Sequence, residues 1–129
     1  STCRFNEYGV DDSNSIILTF EDGKTATLHS SQLAASERGG MIYGSKGYIE
    51  VENINNCQGI RVFNKNYELI QEIRAPKQIT GYEYEVIACM EALEKGLTEC
   101  PQMPHSETIR MMELMDRIRA DWGMKFPME

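Results

Sequence analysis

Hydrophobic and polar residues alternate with a period of two along the first half of the chain. Residues 14–21 and 24–33 show this alternation on either side of Asp22-Gly23. Because Asp-Gly supplies the positive φ of a two-residue hairpin turn, these runs predict a β-hairpin. Glycine and asparagine clusters separate further short runs of this kind, which indicates an antiparallel meander. Those runs are residues 41–43, 48–52, 60–63 and 67–74.

The same alternation divides the side chains between two faces of the predicted sheet. One face is apolar, which predicts that it covers the core. Its members are Ile16, Leu18, Phe20, Ile49, Val51, Ile60, Val62, Leu69 and Ile73. The opposite face mixes apolar, aromatic and neutral hydrogen-bonding groups, as the centre of a protein interface does, so we predict that copies of the chain meet through it. The predicted contact residues are Ile17, Thr27, His29, Tyr48, Phe63 and Ile70.

After Pro76 the period of the pattern changes from two to about 3.6, which predicts helices. The first helix should bury a stripe formed by Tyr82, Val86, Met90 and Leu93. Gly96 is expected just past its end. The second helix should begin after Pro104 with Ser106 as its N-cap, and Gly123 should end it. Strands first and helices last predict an α+β fold, a largely antiparallel open β-sheet with helices packed on one face.

Length and charge narrow the functional classes. The chain has 129 residues, which fits a single domain over residues 1–129. Its 13 basic and 20 acidic residues give a net charge of −7, which would repel nucleic acid and anionic membranes. The sequence carries neither a membrane-length apolar run nor a signal-peptide pattern, so we expect a soluble cytoplasmic protein. It begins at Ser1 without an initiator methionine, which is typical of an expressed fragment.

The candidate chemical groups do not form a catalytic pattern. Cys3, Cys57, Cys89 and Cys100 lack metal-ligand spacing, so we expect free thiols and no metal site, with a disulfide or metal site as the alternative. The glycines of residues 39–47 precede a strand, unlike a phosphate-binding loop. His29 is expected to make ordinary hydrogen bonds on a sheet face. We identify no catalytic, cofactor-binding or metal-ligating residue.

The connection between the sheet and the first helix is the predicted wall of a substrate cleft. It contains Gly81 as a hinge and exposed aromatic groups where two layers of structure meet. Glu83 and Glu85, two residues apart, point away from each other on a helix, and first-turn acidic residues are explained by the helix dipole. The predicted cleft residues are Gln78, Tyr82 and Tyr84.

Several segments in a fixed order resemble one enzyme family. They are Gly9-Val-Asp-Asp-Ser, the Glu-Asp-Gly hairpin, Tyr43-Gly-Ser-Lys-Gly-Tyr-Ile, two helices around a proline-bounded loop, and the terminal Trp122-Gly-Met-Lys-Phe-Pro. In this order the chain resembles the C-terminal domain of the Gfo/Idh/MocA oxidoreductases, most closely their dihydrodiol-dehydrogenase-like members.

The resemblance implies a larger parent enzyme. Such enzymes carry an N-terminal Rossmann domain with a glycine-rich NAD(P) turn and a Glu-Lys-Pro catalytic motif, and neither motif occurs here. The parent would transfer hydride between NAD(P) and a hydroxyl carbon of a sugar, cyclitol or dihydrodiol. This chain would wall the substrate cleft, pair with its own Rossmann domain, and form a homodimer or higher homo-oligomer. Alone it would hold no cofactor and have no activity. A stand-alone, non-enzymatic ligand-binding or oligomerisation module is the alternative.

Overall fold

The computed structural model describes residues 1–126, and Pro127 of the terminal motif lies outside them. Within these described residues, seven strands precede two helices, in the order that the change of period predicts. The strands are β1 (Thr2–Phe5), β2 (Asp11–Thr19), β3 (Thr25–Ser31), β4 (Gly40–Gly44), β5 (Gly47–Glu52), β6 (Gly59–Asn64) and β7 (Leu69–Arg74). The helices are α1 (Tyr82–Glu94) and α2 (His105–Trp122).

The strands form two antiparallel sheets, with orders β1-β2-β3 and β4-β5-β6-β7. The predicted α+β class and the antiparallel pairing are confirmed, whereas the single meander is divided after β3. The chain separates into two compact units. The first contains residues 1–35 and those from 101 onward, and the second contains residues 36–100. The single domain stays a prediction.

The predicted hairpin between β2 and β3 is present, but its turn has three residues instead of two. The Phe20 amide donates to the Lys24 carbonyl, and the Gly23 amide donates to the Phe20 carbonyl, both at 2.9 Å. Only Gly23 of the Asp-Gly pair has a positive φ, at 82°. This is a type I turn followed by a left-handed residue, in which the aspartate needs no left-handed backbone.

The strand registers confirm the predicted division of side chains between faces in the β2–β3 and β5–β6 pairs. Leu69 was wrongly placed on the apolar face, because it lies opposite Phe63 at an irregularity in the β6–β7 register. Ile17 lies opposite Thr27. In the four-stranded sheet, Tyr48 lies opposite Phe63 on one face, and Ile49 lies opposite Val62 on the other. Because directly opposed residues in an antiparallel pair share a face, the apolar and mixed faces separate as the alternation indicates.

The predicted ends of the helices agree with the structure better than the predicted buried surface does. Gly96 and Gly123 are left-handed, with φ of 67° and 68°, and follow α1 and α2 as predicted. The predicted N-cap of α2 is wrong: Pro104 occupies that position and Ser106 lies inside the helix. Proline needs no amide partner there and has the extended φ and ψ of an N-cap.

The predicted burial of the α1 stripe is also wrong. All four stripe residues, Tyr82, Val86, Met90 and Leu93, are exposed. The buried residue of this helix is the small Ala92, at 5% exposure. In the first unit, side chains of β2 and α2, including Leu18 and Ile118, line a groove of about 600 Å³. Within residues 1–126, no helix is long and apolar enough to cross a membrane.

Candidate functional site

Four aromatic side chains form a cluster on the four-stranded sheet, which we call the aromatic cluster: Tyr43, Tyr48, Phe63 and Tyr67. The rings of Tyr48 and Phe63 are stacked, with centroids 4.7 Å apart and an interplanar angle of 9°. Tyr43 and Tyr67 lie at 6.5 and 6.3 Å from Tyr48 in tilted arrangements. These separations fall within the range of favourable aromatic pairs.

Two backbone features hold this cluster in place. A Cβ atom on Gly47, at the start of β5, would lie 1.9 Å from the Phe63 carbonyl oxygen. Glycine therefore permits the close approach of the two strands that carry the stacked rings. Tyr67 has a left-handed backbone with φ of 64°, which is unfavourable for a bulky residue.

The cluster forms part of an open surface. Tyr43 and Tyr67 are 77% and 79% exposed. Together with Tyr48, Asn64 and Lys65 they line a groove of about 570 Å³. Exposed rings with polar groups at their border are typical of protein contact surfaces.

Further along the same face, the aromatic residues give way to ion pairs. Arg61 contacts Glu50 at 2.6 Å, and Arg74 contacts both Glu52 and Glu72 at 2.6 Å. The arginine side chains are more than half exposed, so solvent weakens these pairs and each adds little stability. The apolar part of this face therefore lies around the aromatic cluster.

The other predicted contact residues lie elsewhere. Ile17, Thr27 and His29 belong to the three-stranded sheet of the first unit, where Ser15 Oγ is 2.9 Å from His29 Nδ1. This bond matches the expected ordinary role of that histidine. Ile70 belongs to the four-stranded sheet, next to an irregularity in the β6–β7 register, and lines a second groove with Ile42 and Val62.

The connection before α1 is organised by Glu83. Its carboxylate accepts hydrogen bonds from the backbone amides of Ile79, Thr80 and Gly81 at 2.5, 3.2 and 2.9 Å. The Thr80 hydroxyl donates to the same carboxylate at 3.1 Å. These bonds, with the Ile79 amide as the leading contributor, lower the pKa of Glu83 to about 2. The Glu83 carboxylate thus fixes the loop in front of the helix and also interacts favourably with the positive end of the helix dipole.

The three predicted cleft residues have different roles in this connection. The Gln78 side-chain amide donates to Asn56 Oδ1 at 2.9 Å, and Asn56 in turn donates to the Thr80 carbonyl at 3.0 Å. The Tyr84 hydroxyl donates to the Lys77 carbonyl at 3.2 Å. Tyr82 is 68% exposed. Gln78 and Tyr84 therefore hold the loop, and the Tyr82 side chain is presented at the surface.

Sequence reasoning missed several residues of these surfaces. Ile79 is 94% exposed at the tip of the connection. Tyr43 and Tyr67 were not assigned to the contact face, and Glu83 was explained by the helix dipole alone. The sequence does carry one signal for Tyr67. The turns after Phe5 and Thr19 have glycine, Gly9 and Gly23, at the left-handed position that Tyr67 occupies in the turn between β6 and β7.

The groups needed for cofactor chemistry are not assembled in this part of the chain. Among residues 1–126, no three His, Cys, Asp or Glu side chains form a possible metal site. Every strand pairing found there is antiparallel. A dinucleotide site of the Rossmann type needs parallel strands joined through a helix, so the residues present do not fit NAD(P).

Sequence comparisons show which class of domain this chain is similar to. The family model of the GFO/IDH/MocA C-terminal domain matches residues 1–50, which include the three-stranded sheet. Relatives from the same family align with nearly the whole chain. The chain is thus similar to the GFO/IDH/MocA C-terminal domain family over residues 1–50 and to dehydrogenases of that family over nearly its whole length.

The relatives are dehydrogenases. Trans-1,2-dihydrobenzene-1,2-diol dehydrogenase of Mus musculus is 25% identical over 136 residues, covering 98% of this chain and 39% of the mouse protein. The Xenopus tropicalis protein of that name is 29% identical over 127 residues, with 95% of this chain and 38% of its own length covered. The Homo sapiens protein is 24% identical, with coverages of 98% and 39%. This chain thus spans about two fifths of the length of these relatives.

Proposed function

We propose that this chain is the substrate-cleft and oligomerisation domain of an NAD(P)-dependent oxidoreductase. The observation that carries the proposal is the alignment of 98% of the chain with only 39% of a dihydrodiol dehydrogenase. The parent enzyme would act on a hydroxyl carbon of a dihydrodiol, or of a sugar or cyclitol. Its N-terminal Rossmann domain would bind the nicotinamide cofactor and would be the first partner of this chain.

Cofactor titration tests the proposal that the nicotinamide cofactor binds to the Rossmann domain and not to this chain. The chain alone should bind neither NADH nor NADPH, because its strand pairings are antiparallel and hydride transfer needs a nicotinamide site. Calorimetric titration with each cofactor should show no saturable heat. A dissociation constant in the low micromolar range would overturn the proposal.

The encoding reading frame provides a second test. It should contain roughly 200 further residues upstream, about the size of a Rossmann domain with its linker. The full-length protein should then show NAD(P)-dependent oxidation of trans-dihydrobenzenediol. A reading frame that encodes only these 129 residues would favour a stand-alone module.

The cleft role rests on the loop between β7 and α1. Tyr82 and Ile79 are exposed there, while Glu83 and Gln78 hold the backbone by hydrogen bonds. A side chain presented from a fixed loop can contact substrate without a large ordering cost. In the full-length enzyme, Tyr82→Ala should raise KM by about threefold to tenfold, corresponding to about 0.7–1.4 kcal/mol of binding. Tyr8→Ala, at another exposed tyrosine, is the matched control and should leave KM unchanged.

The proposed oligomerisation role rests on the mixed sheet faces. We propose that a second copy of the chain binds them. The six residues predicted from the sequence remain the proposed contact. Within them, Tyr48 and Phe63 should contribute most, because their stacked pair is continued by the exposed rings of Tyr43 and Tyr67. Two-fold symmetry would bring the aromatic clusters of two copies together.

A further inference from the structure

Two cysteine sulfur atoms lie close together beside α1. The Cys100 thiol donates a hydrogen bond to Cys89 Sγ, with the two sulfur atoms 3.7 Å apart. Both thiols are free. A disulfide bond is about 2.0 Å long, so the atoms need to approach by roughly 1.7 Å to form one.

The end of α1 explains why these cysteines meet. Gly96 is left-handed, the Gly96 amide donates to the Leu93 carbonyl at 3.0 Å, and the Leu97 amide donates to the Ala92 carbonyl at 2.9 Å. This pair of bonds is the Schellman motif, which reverses the chain at a helix end. The residues after Gly96 consequently return toward the last turns of α1, and Cys100 reaches Cys89. The proximity follows from a turn that the sequence specifies by its glycine.

We propose that Cys89 and Cys100 are a reversible dithiol–disulfide pair that small-molecule disulfides such as glutathione disulfide oxidise in the folded chain. This site lies outside the proposed cleft residues and the aromatic cluster, and it does not depend on the proposed function.

The reaction is a pair of thiol–disulfide exchanges. The Cys89 thiolate attacks one sulfur of glutathione disulfide, forms a mixed disulfide and releases one glutathione thiolate. Cys100 then loses its proton to solvent, and its thiolate attacks the Cys89 sulfur and releases the second glutathione. Two protein thiols are oxidised, and one glutathione disulfide is reduced to two glutathione thiols.

The geometry sets the order of the two steps. Cys89 is exposed and its sulfur accepts the hydrogen bond, whereas Cys100 is partly buried and donates it. The hydrogen bond to Cys89, followed by desolvation, raises the pKa of the Cys100 thiol. The greater exposure of Cys89 and the hydrogen bond that holds the Cys100 proton make Cys89 the attacking residue and Cys100 the resolving one.

The bond is directly measurable because Lys95 lies between the two cysteines. The chain is equilibrated in buffers of varied glutathione to glutathione disulfide ratio, and free thiols are then trapped with N-ethylmaleimide. After tryptic digestion, mass spectrometry should find peptides 78–95 and 96–110 joined by a disulfide. Non-reducing electrophoresis should place this species at the mass of one chain.

Matched variants and a denatured control complete the test. Cys57→Ser should keep the linked peptides, whereas Cys89→Ser and Cys100→Ser should lose them. In concentrated urea, the equilibrium constant for forming this bond should fall by at least about tenfold, since proximity in the folded chain is lost. Equal formation in folded and denatured protein would overturn the proposal. Alkylation of Cys89 and Cys100 as complete as that of Cys57 at every ratio, or a link found only between chains, would also overturn it.

Discussion

The two sheets use the same kind of hairpin turn but present different surfaces. In the three-stranded sheet, the left-handed position of each turn is filled by glycine, Gly9 and Gly23. In the four-stranded sheet, the β6–β7 turn has the same bonds, from Asn64 to Glu68 and from Tyr67 to Asn64, but Tyr67 holds the left-handed position. An unfavourable backbone under an exposed aromatic ring supports the proposed contact role of Tyr67.

The pairs of directly opposed residues on the two mixed faces also differ in their chemistry. Ile17 and Thr27 form a pair of one aliphatic and one polar side chain. Tyr48 and Phe63 form a stacked aromatic pair, and further rings extend it. Equal registers thus place an aliphatic–polar pair on one sheet and a stacked aromatic pair on the other. The difference identifies the aromatic cluster as the principal proposed contact between copies.

Of the substitutions that test this comparison, replacement of Gly47 should lower the free energy of unfolding the most. In Gly47→Ala, the new Cβ would lie 1.9 Å from the Phe63 carbonyl oxygen at a φ of 152°, so the two strands under the stacked rings must separate. Urea denaturation should show a loss of at least about 3 kcal/mol. Gly44→Ala is the matched control, because its Cβ would meet the Gly47 carbonyl at an ordinary 3.5 Å. Equal losses would mean that close strand approach does not hold the cluster.

A pair of double-mutant cycles compares the opposed residues directly. The coupling free energy of Tyr48 and Phe63, measured with alanine variants, should be about 1 kcal/mol in favour of folding, because the rings stack. The coupling of Ile17 and Thr27 should be under about 0.5 kcal/mol. A larger coupling in the three-stranded sheet would reverse the assignment of the two faces.

The turn residue Tyr67 offers a smaller but more specific test. Tyr67→Gly should leave the free energy of unfolding unchanged or raise it by up to about 1 kcal/mol, because glycine relieves the left-handed strain. Gly23→Ala, at the equivalent position of the other sheet, should lower it by about 1 kcal/mol. Thermal and urea melts of both variants measure these changes. A clear destabilisation by Tyr67→Gly would show that the tyrosine serves folding.

Acid should loosen the connection before α1 through Glu83. Its pKa is about 2 in the folded chain, below its ordinary value of 4.5, so its contribution to stability is complete above about 4.5 and is lost as the pH falls through 2. The amide chemical shifts of Ile79 and Gly81, followed by NMR, should titrate with a midpoint near 2. In Glu83→Gln this titration should be absent. A midpoint near 4.5 in the parent chain would contradict the hydrogen-bonded role of the carboxylate.

The periodic patterns were sufficient to predict most of the elements and the faces of most strand residues, with Leu69 at the irregular β6–β7 register as an exception. Alternation placed Tyr48 with Phe63 and Ile17 with Thr27 on mixed faces, since side-chain direction in a strand is fixed by the backbone. The glycines after both helices were equally readable. The division into two sheets could not be predicted from the sequence. A continuous series of short strands is compatible with one sheet or two, because strand pairing depends on contacts distant in sequence.

The parts of the candidate site that were missed depend on hydrogen bonds and on turn geometry. Glu83 was assigned to the helix dipole, since the sequence does not show that the preceding backbone turns its amides toward the carboxylate. The sequence pattern predicts Tyr67 at the start of a strand, because aromatic residues favour strands and rarely occupy a left-handed position. The α1 stripe was expected to be buried because helical periodicity indicates a face to be covered, but not what covers it.

The central claim is that copies of this chain associate through the aromatic cluster, and light scattering of two charge variants tests it most directly. The parent chain should be a dimer at about 100 μM, well above the micromolar dissociation constant expected of a standard-sized interface. Tyr48→Glu should be monomeric, because two-fold pairing would place two carboxylates among stacked rings. Thr27→Glu should weaken association less, and circular dichroism should show that both variants keep their sheets. A monomeric parent chain at this concentration, or a stronger effect of Thr27→Glu than of Tyr48→Glu, would contradict the account.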